Sequence, residues 1–137
     1  MPVIRILVVD DWPDWQRFLQ TKLAAECNFQ IVGLASNGLE GVGQAARLQP
    51  DVVLMDLNMP VLNGLDATRR IREISPRSRV LFLSENRNRD VVWAAFEAGA
   101  CGYILKSEAG SDLVAGIRAL LENRQFLSSS LRERHER

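Results

Sequence analysis

The chain has 137 residues, of which 47% are apolar, and its 17 lysines and arginines balance 17 aspartates and glutamates. This length predicts one domain with a single core, and zero net charge argues against direct binding of nucleic acid or an anionic membrane surface. Cys27 and Cys101 lie outside any metal-binding motif, so we expect two buried thiols in a reducing, cytoplasmic setting. Without a signal-like leader or an apolar stretch of about 20 residues, we expect no membrane segment.

Five short apolar runs rich in valine, isoleucine and leucine recur along the sequence. Their apolarity is continuous rather than alternating, which is typical of parallel strands covered on both faces. The predicted strands are VIRILVV at 3–9, FQIVGLA at 29–35, DVVLM at 51–55, RVLFLS at 79–84 and GYILK at 102–106.

Segments with helical spacing of apolar residues follow each run. In the first segment, Trp15, Leu19 and Leu23 form one stripe after Pro13, which suits a first-turn position. The same criteria, with caps and proline breaks, predict helices over about 38–48, 65–74 and 90–99, and from Gly110 or Ser111 to about Glu122.

Five alternating strand and helix units predict a doubly wound α/β fold, a (βα)5 three-layer sandwich. The order that fits a five-stranded parallel sheet in so short a chain is the flavodoxin-like 2-1-3-4-5. We expect this domain to span residues 1–127 and the charged tail at 128–137 to fray. His135, the only histidine, lies in that tail and is a poor candidate for catalysis or metal binding.

Three aspartates follow two strands that this order makes neighbours: Asp10 and Asp11 after the first strand, and Asp56 after the third. A single aspartate here would be a helix cap or a solvated charge. Three together disfavour ionisation and imply a cation or a shared proton, and oxygen-only ligands favour Mg²⁺.

A hydroxyl and an ammonium follow the last two strands, Ser84 after the fourth and Lys106 after the fifth. Each alone is a common surface residue. Together with metal-binding carboxylates they are the groups that hold a phosphoryl group, and a carboxylate such as Asp56 can accept it as an acyl phosphate.

At these positions the sequence resembles the response regulator receiver domains of two-component signalling. The resemblance covers essentially the whole chain, and AGACGYILKS and NRQFLSSSL are similar to receivers that often precede a LuxR-type helix-turn-helix domain, which this sequence does not include. The motifs are VVDD at 8–11, MDLNMPVLNG at 55–64, LS at 83–84 and GYILK at 102–106.

The resemblance implies that Asp56 accepts phosphate from a sensor histidine kinase or a phosphotransfer protein. It assigns Mg²⁺ to Asp10, Asp11, Asp56 and the backbone carbonyl of Asn58, and it pairs Lys106 with the phosphate. Such a domain is a signalling switch that catalyses only its own phosphorylation and dephosphorylation.

The resemblance also implies how the signal is passed on. Ser84 moves to the phosphoryl group while Tyr103 turns inward, which repacks the face of helix four, strand five and helix five. That face would bind a downstream effector protein or a second copy. Asn58 and Asn86 match the positions that tune how quickly water removes the phosphate.

The loop after the acceptor and two departures from the family pattern add expectations. Pro60 and Gly64 shape this loop, glycine because such turns often need positive φ. Glu85 replaces a small residue after the switch hydroxyl, and either hinders a phosphodonor or points into solvent beside the arginines of its loop. Ser107 replaces a proline that commonly follows a cis bond, which costs about 2.5 to 4 kcal/mol before other residues.

The three tryptophans allow more than one interpretation. Trp15 fits the buried stripe of the first helix. Trp12 lies over the metal pocket or packs as a partly exposed loop residue, and Trp93 belongs to a partner surface or to the core edge.

Three alternatives to a phosphorylated receiver remain at this point. A phosphohydrolase of the haloacid dehalogenase class usually has a second aspartate where this chain has Asn58, and a cap insertion for which there is no room. A flavin-binding module needs a phosphate-cradling loop rather than the acidic DDWPD at 10–14. A pseudo-receiver that binds its partner without phosphate is kept open by Glu85.

Overall fold

The computed structural model describes residues 2–135, with side chains to residue 132. In this range the strands are Ile4–Val9 (β1), Phe29–Ala35 (β2), Val52–Asp56 (β3), Arg79–Ser84 (β4), Gly102–Leu105 (β5) and Phe126–Leu127 (β6). The helices are Pro13–Ala24 (α1), Gly38–Leu48 (α2), Gly64–Ile74 (α3), Arg89–Ala98 (α4), Ala109–Leu121 (α5) and Ser129–His135 (α6), and a 3-10 turn spans Lys106–Glu108.

All strands pair in parallel in the order β2-β1-β3-β4-β5-β6, which confirms the flavodoxin-like α/β fold. The prediction of five strands was wrong by one, because β6 extends the sheet by pairing Phe126 with Gly102 and Leu127 with Tyr103. Two residues are too few to show a strand period, so only their contact with β5 makes them a strand.

Helices cover both faces of the sheet, which explains the continuous apolarity of its strands. On one face, Ile6 and Leu54 pack with α1 and α5 through residues such as Leu19 and Ile117. On the other face, Leu7, Val53 and Phe82 pack with α2, α3 and α4. The helical stripes predicted from spacing bury these residues: Leu19, Leu23, Val92, Ala95, Leu113, Ile117 and Leu120.

Two sequence expectations about burial need correction. Cys27 is exposed, because it lies in the turn between α1 and β2 rather than in either element, and Cys101 is half-buried. Trp15 is half-buried, with its ring stacked on Phe18 at a centroid distance of 4.7 Å.

The segment after β6 differs from the frayed tail that its charges suggested. Ser128 and Leu131 are fully buried. The Leu105 N–H donates to Ser128 Oγ at 2.9 Å, and the Ser128 N–H donates to the Tyr103 carbonyl at 3.0 Å. Tertiary partners along the edge of β5 therefore order residues whose own sequence pattern is polar. Residues 136 and 137 and the His135 side chain lie outside the described part of the chain.

Within residues 2–135, no helix combines the length and the apolarity that crossing a bilayer requires.

Candidate functional site

Parallel pairing brings the carboxyl ends of the strands to one edge of the sheet, where they enclose a pocket of about 240 Å³. The register places Asp56 opposite Leu83, so the residues that follow β3 and β4 face each other across the pocket. The lining residues are Asp11, Trp12, Asp56, Asn58, Ser84, Glu85, Asn86 and Lys106.

The three predicted aspartates lie together, with one carboxylate oxygen of each within 4.8 Å of the others. Asp10 is buried beneath the pocket, where its Oδ1 accepts the Trp12 N–H at 2.8 Å. Asp11 is exposed and Asp56 is partly buried. The pairing of β1 with β3 thus produces the carboxylate cluster expected from strand order.

Lys106 reaches the cluster from the end of β5. Its Nζ donates to Asp10 Oδ2 at 3.0 Å and lies 3.7 Å from Asp56 Oδ1. One ammonium beside three ionised aspartates leaves this cluster with two excess negative charges. Because the oxygens converge on one point, the charge and the donor type suit a small hard cation such as Mg²⁺.

Asp56 titrates differently from an ordinary aspartate. Burial, followed by the charge of Asp10, raises its pKa from 3.8 to about 6, against the lowering effect of Lys106. The Leu57 N–H donates to Asp56 Oδ1 at 2.8 Å and also favours the ionised form. At neutral pH the carboxylate is ionised, and its charge is incompletely compensated.

Ser84, Asn86 and Tyr103 form a hydrogen-bonded chain beside the pocket. The Asn86 N–H donates to Ser84 Oγ at 3.0 Å, and the Tyr103 hydroxyl donates to the Asn86 carbonyl at 2.8 Å. Tyr103 is fully buried, and this burial raises its pKa. In this structure the tyrosine therefore already points inward and is linked to the hydroxyl through the loop after β4.

The two departures from the family pattern have clear placements. Glu85 is exposed on the rim of the pocket, and it makes no hydrogen bond or ion pair with any described residue, so the expected arginine partner is not found among them. Ser107 is exposed within the 3-10 turn after β5. No peptide bond within residues 2–135 is cis.

The reason given for Gly64 was wrong. Its φ is not positive; instead, a Cβ at this position would lie 2.2 Å from the Asp56 carbonyl oxygen. Glycine is needed because α3 begins against the end of β3. The positive φ in this loop belongs to Val61, at 72°, where a β-branched residue is strained.

Sequence reasoning missed the relation between Lys106 and the tryptophans. The ammonium lies 5.1 Å from the Trp15 ring centroid and 6.0 Å from that of Trp12. Trp12 lines the pocket and is 51% exposed, so it is both a pocket residue and a partly exposed loop residue. Trp93 is 67% exposed, which favours a surface role over the core edge. The apolar stripe of α1 does not indicate that the Lys106 ammonium, which follows β5, would lie over the Trp15 ring.

Comparison with known proteins agrees with the fold and the pocket. Residues 6–118 match the response regulator receiver domain family, and the chain belongs to this family. It is 34% identical over 126 residues to the nitrate/nitrite response regulator protein NarL of Escherichia coli K12, covering 92% of this chain and 58% of that protein. The chain spans about three-fifths of the length of such curated relatives.

Solved structures give the same result. A LuxR-family two-component response regulator from Aurantimonas sp. SI85-9A1 superposes with a TM-score of 0.91 at 31% identity, covering 96% of this chain and 94% of that one. The signal receiver domain of a NarL response regulator from Mycobacterium tuberculosis superposes with a TM-score of 0.86 at 26% identity, covering 90% of this chain and 100% of that one. The chain is thus the receiver module of a phosphorylation-controlled switch, and the phosphate-independent alternative is not favoured.

Proposed function

We propose that Asp56 accepts the phosphoryl group, with Mg²⁺ held by Asp10, Asp11, Asp56 and the backbone carbonyl of Asn58. The observation that carries this proposal is the convergence of three carboxylates and the Lys106 ammonium on one pocket at the strand ends. Asp56 is the acceptor because it combines a place in the pocket wall with partial burial and incomplete charge compensation.

The transfer step needs only the donor and a proton from solvent water. An Asp56 carboxylate oxygen attacks the phosphorus atom of a donor phosphohistidine, the P–N bond breaks, and its electron pair leaves with the imidazole nitrogen, which takes a proton from water. The product is an acyl phosphate. Mg²⁺ at the carboxylate cluster would supply positive charge to the phosphoryl group, and Lys106 supplies a second positive charge from the carboxyl end of β5.

The oxygen-only donor set supports Mg²⁺ over softer metals, since the described cluster contains no histidine or cysteine. Asn58 lines the same pocket, which supports a role for its carbonyl. A sensor histidine kinase or a phosphotransfer protein is the proposed donor, because this step requires a phosphohistidine.

The hydrogen-bonded chain beside the pocket supports a switch role for Ser84 and Tyr103. Movement of Ser84 toward a phosphoryl group breaks or shifts the Asn86 contact, to which the Tyr103 hydroxyl is bonded. The signal then reaches α4, β5 and α5, where an effector protein or a second copy binds. Asn58 and Asn86, both at the rim, are placed to influence attack by water.

Direct nucleic-acid binding is not proposed for this chain, in line with its zero net charge. The domain turns over no external substrate and catalyses only its own phosphorylation and dephosphorylation. The cytoplasmic location stays a prediction.

The deciding experiment is intact mass spectrometry after incubation with acetyl phosphate, with and without Mg²⁺. We expect one added phosphoryl group on the wild type in Mg²⁺ and none on Asp56→Asn. Asp51→Asn is a matched control, since Asp51 lies before β3, and its carboxylate accepts the Arg5 N–H far from the pocket. Absence of an adduct even with a histidine kinase as donor would refute the proposal.

A further inference from the structure

Lys106 is the cation on which the proposed transfer depends, and its side chain is only 11% exposed. Asp10 and Asp56 hold the ammonium by charge from one side. Two indole rings, those of Trp15 and Trp12, lie at cation–π distance from the same atom. Two kinds of group therefore attract the ammonium: the charged carboxylates and the uncharged indole rings.

Both tryptophans lie close to the acidic pair in sequence, since Asp10, Asp11 and Trp12 form the connection between β1 and α1. Trp15 lies in the first turn of α1, where Phe18 stacks on it with an interplanar angle of 21°. The backbone of Trp12 is tied to Asp10 by the bond from its N–H.

The faces of the Trp15 ring carry its interactions. Its Nε1 is buried, and no described residue accepts a hydrogen bond from it. The negative electrostatic potential of an aromatic face is what attracts a nearby ammonium.

This arrangement matters at the moment of transfer. A divalent cation held by the carboxylate cluster would weaken the attraction of Asp10 and Asp56 for the Lys106 ammonium. An aromatic face still attracts the ammonium, and it does so without adding a negative charge that would repel the incoming phosphoryl group.

From this geometry we infer that Trp15, assisted by Trp12, is a positioning residue that keeps the Lys106 ammonium at the pocket during phosphoryl transfer. The inference rests on the proposed function of Asp56. The rings touch no reacting atom and act through the lysine.

The test compares initial phosphorylation rates with acetyl phosphate and Mg²⁺ among three Trp15 variants. Trp15→Phe keeps an aromatic face and retains most of the rate. Trp15→Leu keeps apolar packing without the face and, like Trp15→Ala, slows the rate about three- to fivefold, the effect of one partly exposed cation–π contact. Leu39→Ala is the control, because Leu39 is exposed on α2, outside the pocket, and its truncation leaves the rate unchanged.

The same substitutions in a Lys106→Ala background separate positioning from packing. If Trp15 acts through the lysine, Trp15→Leu has no further effect there. An equal loss in both backgrounds, or a Trp15→Leu variant as fast as Trp15→Phe, overturns the inference. A wild type that gains no phosphate defeats the proposed function itself, whereas a phosphorylated wild type with unaffected Trp15 variants defeats only this inference.

Discussion

Asp10 and Asp112 are both buried aspartates near the carboxyl end of the sheet, at 2% and 7% exposure, but their surroundings differ. Asp112 accepts the Ser129 N–H and the Ser129 hydroxyl at the start of α6, at 3.0 to 3.1 Å. Asp10 shares one ammonium with Asp56 and lies beside Asp11. A carboxylate matched by donors holds the fold together, whereas one crowded by other carboxylates leaves a charge that a ligand can neutralise.

The same contrast separates two adjacent residues at the carboxyl end of β5, Leu105 and Lys106. On the pocket side, the single ammonium of Lys106 is shared by two carboxylates, those of Asp10 and Asp56. On the edge facing β6, the Leu105 N–H is satisfied by the Ser128 hydroxyl within the protein. We therefore expect substitutions near Asp112 to change stability and substitutions near Asp10 to change ligand binding.

The largest effect is expected from removing residues 128–137. Losing the burial of Leu131 costs about 1.5–3 kcal/mol, and leaving the Leu105 N–H without its acceptor costs about 1–3 kcal/mol. The free energy of unfolding should therefore fall by about 3 kcal/mol or more. Urea denaturation measures this change. Leu131→Ala should reproduce a large part of it, and Leu39→Ala, at a 51% exposed site, should not. Unchanged stability of the shortened chain would show that the segment is not part of the domain.

Asp11→Asn tests the expectation that the aspartate cluster binds a ligand. Removing one carboxylate from the cluster should weaken Mg²⁺ binding at least about tenfold, or about 1.4 kcal/mol, measured by titration of the fluorescence of nearby Trp12.

Asp112→Asn is the matched control for that titration. It should leave Mg²⁺ affinity unchanged and lower the unfolding free energy by about 1–3 kcal/mol, because an amide cannot accept all of the Ser129 bonds. Equal effects of the two variants on Mg²⁺ would contradict the separation of the two sites.

Asp56→Asn should stabilise the metal-free domain at neutral pH. Burial and Asp10 raise the pKa of Asp56 to about 6, so ionisation above that pH costs stability that an amide does not lose. We expect a gain of about 1–2 kcal/mol, less than the full pKa difference implies because the pocket is open to water. The gain should disappear as pH falls from about 6 toward 3.8, since the wild-type carboxylate then becomes neutral in the folded state.

Urea denaturation of wild type and variant across this pH range tests the sign. A gain that grows toward acid pH would mean that the folded state lowers, rather than raises, the pKa of Asp56.

Tyr103→Phe should have the smallest effect, about 0.5–1.5 kcal/mol, because it removes the hydroxyl that donates to the Asn86 carbonyl and keeps the buried ring. Hydrogen exchange of the loop after β4 should report increased opening in this variant. A loss far above this range would mean that ring packing depends on the hydroxyl.

Much of the site could be predicted because its residues directly follow strands. Asp10, Asp56, Ser84 and Lys106 converge since parallel strands bring their carboxyl ends to one edge, and strand order follows from alternating apolar runs. The pattern could not show that Gly64 is needed for close approach to the Asp56 carbonyl, because that contact lies between elements.

The sequence by itself determined the sheet order, the helix stripes and the aspartate cluster, since each depends on periodicity or on position at a strand end. Only the tertiary structure decided that β6 pairs with β5, that Asp112 accepts the Ser129 N–H at the start of α6, and that the Lys106 ammonium lies over the Trp15 ring. These features join residues far apart in the chain through single contacts, and a single contact leaves no periodic pattern in the sequence.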